Sequence, residues 1–175
     1  GGGFTDSTGI NLNSLSSGAQ QILIKQYFGP SGTEYTLGRV PIASCDFSLS
    51  PYSYDDVAGD FSLANFALAN ADFQYKIPYI KQALALQQAS GGLRLFAAPW
   101  SAPGWMKASG QMQGPTTLSS KPTLELRRSG STIRFFEAYL AEGISFWAVS
   151  PQNEPTTGAI PFWPWQTMYF DAFSE

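Results

Sequence analysis

The sequence predicts an α/β fold built on a parallel sheet, and three observations carry that prediction. Segments of helical period and of strand character alternate along the chain, as parallel sheets with right-handed crossovers require. The last strand-like segment, Ile144 to Val149 (ISFWAV), is apolar on both faces, which suits a strand covered on both sides. Polar and aromatic residues gather directly after each strand, at the carboxyl end where barrels and open α/β sheets both place their sites.

In chain order, Ala19, Leu23 and Tyr27 recur at i, i+4 and i+8 behind Ser16 and Ser17. That spacing predicts a serine-capped helix over 16–28, closed by Gly29-Pro30. Residues 35–42 (YTLGRVPI) read as a strand. The stretch 44–75 is rich in Ser, Asp, Tyr and Phe and has no sustained period. Connections longer than about 12–15 residues are usually functional or linkers, and the aromatics mark this one as a binding loop. Ile77, Ile80 and Leu84 share one face of a helix over 76–89, which Gly91-Gly92 stops before a strand over 93–98. The prolines of PWSAPGWM at 99–106 cannot continue that strand. A third helix over 131–142, with Ile133, Phe136 and Leu140 on its apolar face, ends at Gly143 and leads into ISFWAV. No internal repeat or domain boundary interrupts the order, so residues 1–175 read as one domain.

Composition excludes much chemistry. The 175 residues include no histidine, which removes Ser-His-Asp and Cys-His nucleophiles, His-ligated metals and an imidazole switch. One cysteine, Cys45, can form neither an intrachain disulfide nor a Cys-rich zinc site. Carboxylates, Lys, Tyr and the lone thiol remain. With 15% aromatic and 13% charged residues the chain is core-forming. A net charge of −3 and no dominant basic patch argue against nucleic acid as a partner. No apolar run approaches the ~20 residues of a membrane span. Gly1-Gly2-Gly3-Phe4-Thr5-Asp6 has neither the basic start nor the apolar stretch of a signal peptide.

Asn153-Glu154-Pro155 is the sharpest chemical feature. A Glu that ends a buried strand faces a cleft, where desolvation raises its pKa from ~4.3 toward ~6–7 and lets it deliver a proton to a leaving oxygen. Asn153 beside it can bond a substrate hydroxyl. The alternative is a solvated loop Glu before a turn. Trp100 and Trp105 sit on a proline-stiffened loop, where indole faces suit the C–H faces of pyranose rings or simply cap the core. Arg39, in an otherwise apolar strand, needs a partner, and Asp46 or another carboxylate is the expected one. Asp46 can also accept bonds from sugar hydroxyls. Cys45 reads as a small buried filler. Gly1 to Gly3 are a weak phosphate-loop signal, with no preceding strand and no following Gly-Lys-Ser/Thr. Arg127-Arg128-Ser129-Gly130-Ser131 reads as a solvated helix start or a modest basic loop.

Four blocks in order, GGGFTDSTGINLNSLS at the start, RVPIASCDFS at 39–48, APWSAPGWMK at 98–107 and FWAVSPQNEPTTG at 146–158, resemble the glucosylceramidase (acid β-glucosidase) group of glycoside hydrolase family 30. The similarity covers nearly the whole chain except 123–132 (TLELRRSGST), where that group has an aromatic, helix-forming segment. The resemblance implies a (β/α)8 TIM barrel, represented here by roughly its first half, from the end of strand one through the loop after strand four. Residues 1–175 are then a partial TIM-barrel catalytic domain. It also implies a retaining hydrolase that converts glucosylceramide to glucose and ceramide in sphingolipid catabolism. Glu154 matches the acid/base, Asn153 the residue bonding the sugar 2-hydroxyl, Asp46 and Trp100 the lining of the glucose site, and Arg39 a supporting arginine. No metal or other cofactor is implied. The implied partners are the glucosylceramide substrate, a saposin-type activator and an anionic membrane surface, and the implied location is the lysosome or secretory pathway.

Two departures temper what the chain does by itself. A retaining glycosidase needs two carboxyl groups ~5–5.5 Å apart, and no residue here matches the family's nucleophile, so the chain alone is expected to be inactive. No Asn-x-Ser/Thr sequon occurs, although the family is usually glycosylated. A non-catalytic sugar- or lipid-binding module using Trp100, Trp105 and the 44–75 loop is the competing class, and a family 30 hydrolase with another sugar preference a third. Four strands in an open sheet are expected to leave apolar surface exposed, with marginal stability or self-association as the consequence.

Overall fold

Four strands pair in parallel, in the order they occur along the chain: β1 (Gly2–Gly3), β2 (Leu37–Ile42), β3 (Arg94–Pro99) and β4 (Ala148–Val149). The computed structural model describes residues 1–87, 92–117 and 123–170, and residues 123–129 by their backbone alone. The sheet is carried by β2 and β3, which pair from Leu37 with Arg94 through Ile42 with Pro99. Gly2 pairs with Gly38, so the opening glycines belong to a strand and not to a phosphate loop. Ala97 pairs with Val149 on the other side. Helices α1 (Asp6–Asn13), α2 (Ser17–Phe28), α3 (Ile77–Leu86) and α4 (Thr123–Ala141) fill the connections.

Local chemistry explains most of these boundaries. Ser16 caps α2 by accepting the Ala19 N–H, and Gly29 closes it. The predicted start of α3 is displaced because residues Asp72–Lys76 form one π-helical turn that runs directly into it. Helix α1 carries no apolar stripe that periodicity could detect. It is set by Thr5, whose hydroxyl accepts the Thr8 N–H, and by Gly9, where a Cβ would lie 1.9 Å from the Tyr75 carbonyl oxygen. Helix α4 begins at Thr123, so the atypical segment 123–132 is helical and Arg127-Arg128-Ser129 lie inside the helix. The predicted helix end at 88–91 lies outside the described residues.

The buried faces of two helices differ from the spacing argument. In α2 the core side chains are Ile24 and Phe28, while Tyr27 is exposed. In α4 they are Phe135 and Tyr139, while Ile133 and Leu140 are exposed. In α4 two rings take the inward places and remove much apolar area from water, whereas in α2 the exposed Tyr27 is itself a ring, so ring size does not decide that face. Phe135 stacks on Tyr54 and packs against Phe136, Tyr139 and Phe146, so the 44–75 loop contributes to the core as well as to the site. Val40, Ile80, Ala83, Leu95 and Ala97 complete that core.

A buried ion pair crosses this core. Lys76 Nζ lies 3.3 Å from Asp72 Oδ1, both side chains being fully buried. Tyr54 and Tyr139 each donate to Asp72 Oδ1 at 2.7 Å, and the Ala69 N–H reaches Oδ2. Burial, followed by the Asp72 charge, pushes both phenols well above their ordinary pKa, so they stay donors. Lys76 in turn donates to the carbonyls of Pro41 (3.3 Å) and Ala43 (2.9 Å).

Strand β4 is shorter than ISFWAV suggested, and it is covered on one face only. Phe146 packs inward, but Trp147 and Val149 are 62% and 46% exposed. They line a hollow of about 410 Å³ with Phe136, Leu140, Ile144 and Phe146. No described helix is long and apolar enough to cross a membrane.

Two outcomes follow for stability. Asp72→Ala strands the Lys76 charge in the core and should cost about 3–5 kcal/mol in urea unfolding. A loss below about 1 kcal/mol would show that the pair does not organise the core. The exposed β4 face should make the 175-residue chain self-associate with rising concentration in sedimentation velocity, and the double change Leu140→Lys, Trp147→Lys should reduce it. Equal sedimentation of the two proteins would remove this face as the cause.

Candidate active site

The side chains singled out by sequence converge where β2, β3 and β4 end. Arg39 is on β2, Asp46 follows it, Trp100 follows β3, and Asn153 and Glu154 follow β4. Backbone bonds continue the parallel pairing past β4: the Ser150 N–H reaches the Ala97 carbonyl, and the Asn153 N–H reaches that of Pro99. Gln152 adds a side-chain bond to the Trp100 carbonyl. The loop after β4 is thereby laid against the end of β3, which brings Asn153 over the barrel residues of β2.

Arg39 makes the central contact. Its Nη2 donates to Asn153 Oδ1 at 2.7 Å, and its guanidinium carbon sits 4.6 Å over the Trp100 ring. Arg39 was expected to pair with Asp46 or another carboxylate; its hydrogen bond goes to the Asn153 amide, while Glu154 supplies a favourable carboxylate charge nearby. Because Arg39 occupies Oδ1, the Asn153 NH2 is the part of that amide left to donate to a ligand. The same stacking bears on whether Trp100 offers its face to a sugar or caps the core. Its ring face is covered by Arg39 and its side chain is 7% exposed.

The buried indole N–H of Trp100 closes no hydrogen bond of normal geometry, yet it lies near enough to Asp46 to favour that carboxylate's charge. Burial and then the Glu154 charge act the other way, and the net effect raises the Asp46 pKa. A half-buried acceptor at Asp46, an unclosed donor at Trp100 and the NH2 of Asn153 form a set suited to hydroxyl groups.

Glu154 is placed by its backbone. It has φ 41° and ψ 59°, the left-handed region, and it caps a short 3-10 turn over Pro155–Ala159. Its side chain is exposed, so the described residues do not build the enclosed cleft expected around it. Ala43 and Phe47, which bracket Asp46 on the β2 side, are also left-handed, with φ 64° and 66°. Non-glycine residues in this region are uncommon and cluster at functional sites.

Trp105 belongs to the core. Its Nε1 donates to the Asp55 carbonyl at 2.9 Å, and its ring meets Phe61 edge-on. Cys45 is a buried free thiol whose pKa burial pushes up to about 11, as a filler should be. Among the described residues no group of three or more His, Cys, Asp or Glu side chains could hold a metal ion.

Sequence reasoning passed over Lys107. This lysine is 3% exposed and lacks a carboxylate partner among the described residues; it donates to Ser101 Oγ (3.1 Å), to the Met112 carbonyl (2.5 Å) and to the Thr167 carbonyl (2.7 Å). It joins the loop after β3 to the segment that follows Glu154. The available signal was a lysine next to Trp105-Met106 in a chain with ten basic residues.

Comparison with known proteins supplies the family and the fold. A family model described as the glycosyl hydrolase family 30 TIM-barrel domain matches residues 1–175. A Caenorhabditis elegans protein named "Putative glucosylceramidase 4" is 52% identical over 178 residues, which covers 100% of this chain and 34% of that protein. Mouse lysosomal acid glucosylceramidase is 41% identical over 172 residues, covering 97% of this chain and 33% of the mouse protein. Among solved structures, SrfJ from Salmonella typhimurium superposes with a TM-score of 0.88 at 32% identity, covering 99% of this chain and 37% of that one. The chain thus spans about a third of the length of the curated relatives it matches.

Burial pushes the Lys107 ammonium down to about 8, against ~10.4 for a free lysine. Between those values the unfolded chain binds more protons than the folded one, so this group's contribution makes stability rise with pH across that window. Below about 8 both states are charged and the cost of burial is fully present. The stability difference between wild type and Lys107→Met should therefore shift in favour of wild type from pH 8 to pH 10. A difference that stays flat would show that Lys107 titrates like a surface lysine.

Proposed function

Because the chain belongs to glycosyl hydrolase family 30, whose TIM-barrel model it matches throughout, we propose that the protein carrying it is a retaining β-glucosidase that cleaves glucosylceramide to glucose and ceramide. The observation that carries this reading is the placement of Glu154 after β4, next to an Asn153 whose amide is oriented by Arg39. The glucosylceramidase names of the worm and mouse relatives favour this substrate.

In the proposed mechanism Glu154 acts twice. It first gives its proton to the glycosidic oxygen while a second carboxylate attacks the anomeric carbon, which forms a glycosyl-enzyme and releases ceramide. It then takes a proton from the water that hydrolyses the intermediate. Asn153 would donate to the sugar 2-hydroxyl, a contact that strengthens as the oxocarbenium-like transition state develops. Asp46 and the Trp100 N–H would hold other hydroxyls of the glucose ring, and Arg39 would support both Asn153 and Trp100 from behind. No step calls for a metal. The nucleophile is assigned to no residue of this chain, and the 175-residue chain alone is proposed to be inactive. A saposin-type activator, an anionic membrane surface and a lysosomal or secretory setting complete the proposal, the last favoured by the mouse relative's name.

Two measurements test it. In the full-length protein, Glu154→Gln should lower kcat/KM toward glucosylceramide by about 10²–10⁴. Toward an aryl β-glucoside with a good leaving group the loss should be much smaller, since departure there needs little protonation. Equal losses on both would remove Glu154 from the acid role. The isolated chain should leave a fluorogenic β-glucoside intact, and turnover by it would overturn the assignment of the nucleophile elsewhere.

A further inference from the structure

A general acid on a flexible exposed side chain has to be aimed by its backbone, and the backbone of Glu154 is in a region that a β-carbon disfavours. Such a conformation persists where surrounding bonds over-determine it. Two bonds converge on the Glu154 carbonyl, and both come from Thr157: the backbone N–H at 2.9 Å and Oγ1 at 2.7 Å. A threonine that bonds the carbonyl three residues back is common in turns and by itself implies nothing. Its surroundings here distinguish it.

The Thr157 hydroxyl lies 2.6 Å from the Thr167 hydroxyl. Each hydroxyl has one proton, and that of Thr157 is committed to the Glu154 carbonyl, so Thr167 is the donor between the two. Thr167 is 2% exposed, and its own carbonyl accepts from Lys107 Nζ at 2.7 Å. Lys107 is anchored at its other bonds by Ser101 and Met112, in the loop that follows β3. Gly158 makes the approach possible. A Cβ there would lie 2.1 Å from the Tyr169 nitrogen, so a side chain would push the 167–169 segment away from Thr157. A continuous set of directional bonds thus runs from a buried ammonium to the carbonyl of Glu154.

We propose that Thr157, oriented by Thr167 and Lys107, is a positioning residue that fixes the left-handed backbone of Glu154 and thereby the direction of its carboxyl group. The inference rests on the acid/base role proposed above. Misplacement of a reacting group by about 1 Å costs up to about 10² in rate, so loss of the hydroxyl should act on proton delivery more than on binding.

The test uses the full-length protein with Thr157→Val, which keeps the shape and removes the hydroxyl, Thr157→Ser, which restores it, and Thr167→Val, which removes its donor. Thr157→Val should lower kcat about tenfold toward an alkyl β-glucoside, whose leaving group needs a proton, with KM within about twofold. Its effect toward an aryl β-glucoside with a good leaving group should stay within about twofold, Thr157→Ser should behave as wild type, and Thr167→Val should reproduce the valine effect in weaker form. Equal losses on both substrates, or a serine variant as impaired as the valine, would overturn the proposal. Amide hydrogen exchange on the same proteins separates the two claims: exchange at the Thr157 N–H should quicken in Thr157→Val and not in Thr157→Ser. Unchanged exchange overturns the positioning role. A wild-type protein that hydrolyses neither glucoside overturns the glucosidase reading, and leaves the exchange comparison to decide whether Thr157 holds the turn.

Discussion

An ammonium group with no water around it must find oxygen acceptors, and in this chain most of them are backbone carbonyls of the segments that carry the site. Lys76 bonds the carbonyls of Pro41 and Ala43, where β2 gives way to the segment that carries Asp46. Lys107 bonds those of Met112 and Thr167, which joins the loop after β3 to the segment after Glu154. The two are neutralised differently. Lys76 has Asp72, which two tyrosine hydroxyls and an amide saturate, whereas Lys107 relies on neutral acceptors. Desolvation accordingly lowers the pKa of Lys107. The loops that hold the site are long and irregular, and these cations give them fixed points that hydrophobic contact alone would not supply.

Legibility in the sequence followed the range of the interaction. The alternation of helix and strand, the parallel sheet and the collection of Arg39, Asp46, Trp100, Asn153 and Glu154 at strand ends were all readable, because each depends on local period or on position after a strand. What each of those residues touches was not readable. Arg39 was expected to meet a carboxylate and instead bonds the Asn153 amide while covering the Trp100 ring. That choice depends on the register of β4 against β3, a long-range property that spacing does not encode. Helix faces failed for a related reason. Phe135 and Tyr139 point inward where simple spacing favoured Ile133 and Leu140, and rings bury more area; in α2, Phe28 points inward where spacing favoured another ring, Tyr27. Helix α1 escaped notice because a capping threonine and a close backbone approach at Gly9 define it, and neither produces an apolar period.

Side-chain bonds to backbone carbonyls explain why backbone strain is tolerable where it occurs. Ala43, Phe47 and Glu154 all have positive φ, and two of them have a carbonyl that is firmly held: Ala43 by Lys76, Glu154 by Thr157. A residue forced into the left-handed region relaxes unless something opposes it, so the strain and the buried donors are two parts of one device. At the ends of β2 and β4 these residues turn the chain, and burial followed by the nearby Glu154 charge raises the Asp46 pKa. In the core, Asp72, Lys76, Tyr54 and Tyr139 saturate one another's hydrogen-bonding groups. A site assembled this way is sensitive to residues that never approach a substrate, because any change that frees the carbonyl of Ala43 or Glu154 also frees the residue whose direction that carbonyl sets.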